Sequence, residues 1–268
     1  MIEIEDLNKK ICLIDGDYFP FVVLHCKKLV DIDGNPMLDD DGNNLKETKS
    51  LQDSFNEVDQ LLYNILFHCQ SNKFIIAFSK SFDGLTYRHS VDSEYKANRK
   101  DRVLPEGYTE VKNYIIDKYK AVYRMGYEAD DVLATLKKNL KDIYEPIICS
   151  HDGDLLYLEG RNFNIKKFEF IEVNQTQALH KFYKDLCVGQ PGDNIKGIKG
   201  FGKESWEKLI NSYYDEFNQK ELIIFVFDEY VNKYGIEEGL INMLKNYKLL
   251  KILDNLAMDN AEELIQKL

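Results

Sequence analysis

The sequence has 268 residues, 46 Asp and Glu against 35 Lys and Arg (net charge −11), 44% hydrophobic and 12% aromatic residues, 15 Gly and 5 Pro. This excludes a disordered, collagen-like or disulfide-scaffold chain, and size scaling lets about three quarters of the unfolded surface be buried, in one large domain or two unequal ones. An acidic chain does not coat nucleic acid or anionic membrane indiscriminately, so any DNA contact must come from a local basic strip.

The start, Met1 to Asp6, is acidic, unlike the basic-then-apolar pattern of a signal peptide. No apolar run approaches the ~20 residues of a membrane span. The five cysteines (Cys12, Cys26, Cys69, Cys149, Cys187) are odd in number and far apart, with no Cys-x-x-Cys. Reduced thiols in a cytoplasmic setting are therefore expected, without a disulfide framework or structural zinc.

Short apolar runs predict strands at Ile11–Ile14, Phe74–Phe78 and Pro146–Cys149, with a weaker one at Ala121–Arg124. Helical periodicity covers Leu51–Cys69, with Phe55, Val58, Leu62, Ile65 and Leu66 at 3–4 spacing, and returns at Val132, Leu133, Leu136 and Leu140. Strands alternating with helices predict an α/β fold with a parallel sheet covered on both faces. Between them, Asp31 to Glu47 reads as consecutive turns or a loose hairpin. It is no EF-hand loop, because the position five before Gly42 is Met37 rather than an acid. Residues 89–112 are polar and rich in Lys, Arg and Glu, a mobile or helical excursion. From about Leu186 the pattern is helical, opening on a Gly-rich turn at Gly197–Gly202.

The acids just beyond the strands carry the chemistry. Ile14 leads into Asp15-Gly16-Asp17, the Ala121–Arg124 strand into Glu128-Ala129-Asp130-Asp131, and Cys149 into Asp152-Gly153-Asp154. Singly, these are ordinary turn or first-turn acids. Together, at the carboxyl ends of parallel strands where open α/β sheets bind ligands, they form a cluster that would repel itself unless neutralised. All-oxygen ligation suits Mg²⁺ or Mn²⁺, and paired metals suit phosphodiester hydrolysis. There is no G-x-x-x-x-G-K-[ST] for a nucleotide and no Gly-x-Ser-x-Gly. His151, beside the third acid motif, reads as a loop residue or DNA contact rather than a ligand.

Two basic segments complete the set. In Tyr95-Lys96-Ala97-Asn98-Arg99-Lys100-Asp101-Arg102, the 3-residue spacing puts Lys96 and Arg99 on one helix face as a phosphate clamp, with Tyr95 placed to stack on a base. The alternative is a solvated helix face. In Gly192-Asp193-Asn194-Ile195-Lys196-Gly197-Ile198-Lys199-Gly200-Phe201-Gly202-Lys203, glycines before a helix at Glu204–Asn211 let backbone approach phosphate, and the lysines add charge without base specificity.

In this order the motifs resemble the 5′-nuclease (flap endonuclease) superfamily, especially the short 5′→3′ exonucleases of bacteriophages, and more distantly the 5′-nuclease domain of bacterial DNA polymerase I. The match runs from about Ile11 to Ile210. The resemblance implies a PIN-like α/β core over 1–185, with an arch or gateway at about 82–112. It implies a helix–three-turn–helix and C-terminal helical region over 186–268. It implies a hydrolase, cutting DNA at or near 5′ ends, flaps or nicks in replication or degradation, with RNA primers on DNA as a further substrate. By carry-over, Asp15, Glu128 and Asp130 hold a first Mg²⁺ or Mn²⁺, with Asp131 at its rim, and Asp152, Asp154 and Asp193 hold a second. Tyr95, Lys96 and Arg99 line the gateway, with Lys100 beside them on DNA. Lys196, Gly197, Lys199, Gly200, Gly202 and Lys203 contact the duplex backbone, in some relatives with K⁺ on main-chain carbonyls. A monomer in the cytoplasm, the host's if the gene is viral, is the corresponding expectation.

Two departures matter. The family places an acid after the second core strand, where this chain has Ser79-Lys80, leaving Asp83 or a water to replace it. It also has Gly-Asp-x-x-Asp where this chain has Gly189-Gln190-Pro191-Gly192-Asp193. Each metal site is thus expected to be one carboxylate short and weakened, with a catalytically degenerate branched-DNA-binding protein as the alternative. A basic residue usual about a turn after the first Asp-Gly is also absent, since Tyr18–Val23 is apolar or aromatic.

Overall fold

The computed structural model describes residues 9–25, 31–33, 35–38, 49–212 and 219–257. Cys26, the acidic start and most of the turn-rich segment after Asp31 lie outside them. Where that segment is described, Asp31 Oδ1 accepts from the Asp33 and Asn35 amides, both at 2.9 Å, a turn closed by an Asp side chain.

The apolar runs form the centre of one six-stranded sheet. In chain order its strands are β1 (Lys10–Asp15), β2 (Phe74–Lys80), β3 (Val122–Met125), β4 (Glu145–Ser150), β5 (Gly160–Asn164) and β6 (Glu169–Val173). Their spatial order is β3-β2-β1-β4-β5-β6. All neighbours pair in parallel except β5 and β6, which pair antiparallel. β1 and β4 are buried on both faces, as parallel strands under helices must be.

Helices α1 (Tyr18–Val23), α2 (Leu51–Cys69) and α4 (Tyr108–Tyr119) cover one face. Val58, Leu62 and Ile65 of α2 pack there on Cys12, Ile14 and Ile76. Ser50 caps α2, accepting from the Asp53 amide while Asp53 Oδ2 accepts from the Ser50 amide. Cys12, Cys69 and Cys149 meet in this core with their Sγ atoms within 4.8 Å. All three are free thiols, and among the described residues no fourth ligand joins them. Helix α5 (Ala129–Leu140) covers the other face through Val132, Leu133 and Leu136 against Ile11, Leu13 and Ile75.

A third core is helical. Helices α6 (Gln175–Val188), α7 (Lys203–Ser212), α8 (Gln219–Tyr234) and α9 (Ile236–Leu250) gather around Tyr183, Trp206, Val226, Tyr230 and Met243. A two-residue hairpin, β7 (Gly189–Gln190) with β8 (Ile195–Lys196), leads from α6 toward α7. Gly197 fits there because a Cβ would overlap the backbone of Cys187 and Gly189. The sheet and the helical core are tied by the short helix α3 (Tyr87–Val91). Its Arg88 is 3% exposed and pairs bidentately with Asp131, 0% exposed, at 2.7 and 2.9 Å. Arg88 also donates to the Leu249 carbonyl in the last turn of α9 and to the Lys251 carbonyl just beyond it. Among the described residues no helix is long and apolar enough to cross a membrane.

Candidate active site

Because β2, β1 and β4 are adjacent and parallel, their carboxyl ends open at one edge. A cleft of about 590 Å³ sits there, lined by Asp15, Asp17, Ser79, Lys96, Arg99, Arg102, Glu128, Asp130, His151 and Asp152 among others. Asp15 ends β1 at 6% exposure, accepting from Ser150 Oγ of β4 at 2.9 Å and from the Asp17 amide at 3.1 Å. Glu128 precedes α5. The helix turns about 100° per residue, so Asp130 faces the cleft while Asp131 points into the core.

The electrostatics are those of a carboxylate cluster short of counter-charge. Burial, then the charge of Asp17, pushes Asp15 up to about 7. Burial, then Asp152 and Asp15, raises Asp130 well above the ordinary carboxylate range. Burial, then Asp152, lifts Asp154 to about 6. Glu128 goes the other way: burial would raise it, but Lys96 and Arg88 hold it below its ordinary value. The donor set is carboxylate oxygen with no thiolate, and self-repelled carboxylates fit a hard divalent cation. The acids are splayed around the cleft. Among the described residues, no three of them place carboxylate oxygens all within 4.8 Å of one another.

Basic groups fill the space between. Lys96 Nζ lies 2.8 Å from Glu128 Oε1 and 3.6 Å from Asp193 Oδ2, and Arg99 pairs with Asp193 Oδ1. Burial opposes the Lys96 charge, but Glu128 and Asp193 raise its pKa and keep it an ammonium. The Tyr95 hydroxyl sits 2.9 Å from Asp193 and 3.1 Å from Glu128, sharing its one proton between them. The 95–99 turn is docked on the 191–193 turn. There the Lys96 amide donates to the Asp193 carbonyl, Asn98 Nδ2 to the Pro191 carbonyl and Arg99 Nε to the Gly192 carbonyl.

Residues 10–183 match the family model of the 5′-3′ exonuclease N-terminal, resolvase-like domain. The chain belongs to the 5′-3′ exonuclease family. It is 25% identical over 246 residues to a 5′-3′ exonuclease of Mycoplasmopsis pulmonis, covering 78% of each chain. It is 28% identical over 189 residues to the flap endonuclease Xni of Shewanella halifaxensis, covering 66% of this chain and 74% of that one. It is 28% identical over 284 residues to DNA polymerase I of Borreliella burgdorferi, covering 96% of this chain but only 29% of the polymerase. The fold matches that of the bacteriophage T5 5′-exonuclease with bound zinc, with a TM-score of 0.57 over 90% of this chain and all of that one, at 16% identity.

Within this 5′-3′ exonuclease fold, the structure brings Asp15, Lys96, Arg99, Glu128, Asp130 and Asp152 to one cleft. Asp193 faces it through Tyr95, Lys96 and Arg99. Asp154 stands behind Asp152, its amide donating to Asp152 Oδ1 at 2.9 Å, and its Oδ1 accepts from Gln190 Nε2 at 2.6 Å. Several expectations are corrected. Asp131 is no rim ligand, since both its oxygens are taken by Arg88 and by the Leu253 and Glu128 amides. Tyr95 does not stack on a base; it is 3% exposed, because its ring packs in the helical core and its hydroxyl serves two carboxylates. Lys96 and Arg99 share no helix face, because Ala97–Arg99 is a single 3₁₀ turn preceded by Lys96 at φ +53°, yet both reach the same carboxylates. Asp83 cannot stand in for the missing acid, being in an exposed turn closed by Phe82 and Leu85. Gln190 turns its amide nitrogen, not its carbonyl, to Asp154, Asp185 and Tyr157.

In the glycine-rich segment Lys196, Lys199, Gly200, Gly202 and Lys203 are exposed, whereas Gly197 is committed to internal packing. Lys100 is exposed and does not line the cleft; Arg102 does, stacked 4.3 Å from the Phe21 ring centroid. Arg102 thus places a positive charge on the cleft wall beside Phe21 of the Tyr18–Val23 helix. Asp17, Arg102 and the Tyr18–His151 ring pair, 4.3 Å between centroids, also belong to the cleft. The sequence shows Asp17 in the first acid motif, Arg102 in the basic run and His151 beside the third acid motif, but assigns none of them a place among the metal ligands or the phosphate clamp.

Proposed function

We propose that the chain is a divalent-metal-dependent 5′→3′ exonuclease and flap endonuclease that hydrolyses DNA at 5′ ends, flaps and nicks, and RNA primers paired to DNA, in replication or degradation. The observation that carries this is one cleft joining mutually repelling carboxylates from three parallel strand ends, Asp15 and Glu128 buried among them, to Lys96 and Arg99. Asp15, Glu128 and Asp130 would hold one Mg²⁺ or Mn²⁺, and Asp152, Asp154 and Asp193 a second. When bound, such ions supply a lowered water pKa and positive charge against the phosphate. Lys96 and Arg99 position the scissile phosphate and take up its developing negative charge. Tyr95, its phenol held protonated by burial and by Glu128, keeps Glu128 and Asp193 in place.

A separate helical core supports two regions, although that core begins with α6 at Gln175, ahead of residue 186, and Tyr95 joins it from the gateway. Lys196, Lys199 and Lys203 with the open backbone at Gly200 and Gly202 would meet the duplex, with K⁺ on carbonyls of that turn. We further propose that the protein acts as a monomer in the cytoplasm.

The test is cleavage of end-labelled 5′-flap, nicked and blunt duplex DNA in Mg²⁺ or Mn²⁺, with Asp130→Asn as control. Products released from the 5′ end and absent with the variant are expected. Tight flap binding without products in either metal would overturn hydrolysis and leave a branched-DNA-binding protein. The donated amide of Gln190 at Asp154 favours that second reading.

A further inference from the structure

We infer that Asp17 is a metal-ligating carboxylate of this cleft, reaching across from β1 to serve the corner at the end of β2. The inference rests on the metal-dependent reading above and deepens it by naming a ligand.

The corner has no acid of its own, and Ser79, which occupies it, is fully engaged. Its Oγ accepts from the Ala129 amide at 2.9 Å, capping the start of α5. Its carbonyl accepts from Lys112 Nζ at 3.0 Å, and its amide donates to Asp17 Oδ2 at 3.1 Å. That last bond draws Asp17 over the corner. Gly16 makes the turn possible, because a Cβ there would lie 2.8 Å from Ile76 and Phe78 and 2.9 Å from the Ala77 carbonyl. The Asp17 side chain stays partly open to the cleft that Asp15, Glu128 and Asp130 line. Its second oxygen, Oδ1, lies 3.7 Å from Lys112 Nζ, longer than a hydrogen bond. One oxygen is thus fixed by a backbone donor, and the other is oriented with Lys112 as its nearest cation, 3.7 Å away. A purely structural acid in a turn would not need to share a cleft with four other carboxylates, Asp15, Glu128, Asp130 and Asp152, since like charges at such range cost free energy.

The test is calorimetric titration of Mn²⁺ into the full chain without DNA, comparing the parent with Asp17→Asn, Asp15→Asn and Lys112→Met. Asparagine at 17 keeps an oxygen for the Ser79 amide and removes only the charge. Asp17→Asn is expected to weaken Mn²⁺ binding about tenfold or more, a loss of about 1.4 kcal/mol, and Asp15→Asn at least as much. Lys112→Met removes the competitor for Oδ1 and is expected to tighten binding. If Asp15→Asn loses affinity while Asp17→Asn stays within about twofold of the parent, the metal site stands and Asp17 is not part of it. If the parent takes up no Mn²⁺ at millimolar concentration, this inference falls together with the reading beneath it. Circular dichroism verifies folding. Should Asp17→Asn fail to fold, Lys112→Met decides, and unchanged or weaker binding overturns the inference.

Discussion

Replacing Arg88 by Met should unfold this protein far more readily than a change outside the cleft would suggest. Arg88 spans the sheet and the helical core: two hydrogen bonds to Asp131 at 2.7 and 2.9 Å, one to the Leu249 carbonyl at 2.8 Å and one to the Lys251 carbonyl at 3.2 Å. Burial opposes its charge, but Asp131 and then Glu128 raise its pKa, so Arg88 stays a guanidinium cation. Methionine fills much of the volume and strips Asp131, at 0% exposure, of its cationic partner, with only the Leu253 and Glu128 amides left on it. Breaking a buried pair from one side costs about 3–5 kcal/mol. That is a third or more of a typical stability of roughly 5–15 kcal/mol. Urea denaturation in EDTA, followed at two wavelengths, measures it. Arg88→Met/Asp131→Leu should recover most of the loss, since a hydrophobic replacement of the whole pair removes the stranded charge. A loss below about 1 kcal/mol, or a double variant no better than the single, would refute the reasoning. Asp131→Asn should likewise cost stability while leaving Mn²⁺ affinity nearly unchanged, the opposite of Asp130→Asn.

The same geometry sets other outcomes. Asp15 binds its proton more tightly folded (pKa about 7) than unfolded (3.8), so the metal-free fold loses stability as pH rises between those values. Melts in EDTA from pH 4 to 8 should show this fall, and Asp15→Asn should flatten it; superimposable profiles would count against the raised carboxyl. Lys96→Met removes the cation between Glu128 and Asp193 and should lower kcat on a 5′ flap by roughly 10²–10³. Activity within a few-fold of the parent would remove Lys96 from catalysis. Lys199→Ala and Lys203→Ala should each weaken duplex binding irrespective of sequence and reduce the salt dependence by about one ion. An unchanged salt slope would place the duplex elsewhere.

Of the strands that lead into acids, β1 and β4 are legible in the sequence because they are buried on both faces and so read as apolar runs, whereas the edge strand β3, half-buried and exposed in alternation, gives a weaker signal. The apolar pattern places β3 one residue early at each end, yet it leads to the correct acids. β5, Gly160-Arg161-Asn162-Phe163-Asn164, and β6 are not legible: toward the sheet edge, polar side chains replace the apolar signal. Helix α6 shows only near its end, because His180, Lys181 and Lys184 interrupt the buried stripe of Ala178, Tyr183, Leu186 and Cys187. Within the site, residue types are legible and orientations are not. Asp130 and Asp131 are equivalent letters, and a 100° rotation sends one to the cleft and the other to Arg88. Tyr95 reads as a stacking ring because its acceptors, Glu128 and Asp193, are 33 and 98 residues away.

Those distant acceptors explain how the cleft and the basic turn keep register. Tyr95 has its ring in the helical core and its hydroxyl on Glu128 of the sheet edge. Asn246 of α9 donates to the Lys196 carbonyl at 2.7 Å and to Tyr230, whose hydroxyl donates to the Leu186 carbonyl. The Lys199 amide donates to the Tyr234 hydroxyl. The backbone that presents Lys196 and Lys199 is therefore fastened to α8 and α9, and those helices to the sheet through Arg88. A duplex gripped at Lys199 and Lys203 would stand at a set distance from Asp15 and Asp130 without any contact that reads sequence. Such an arrangement would select substrates by the position of a strand end relative to the duplex, the selection that cutting at a 5′ end or flap requires.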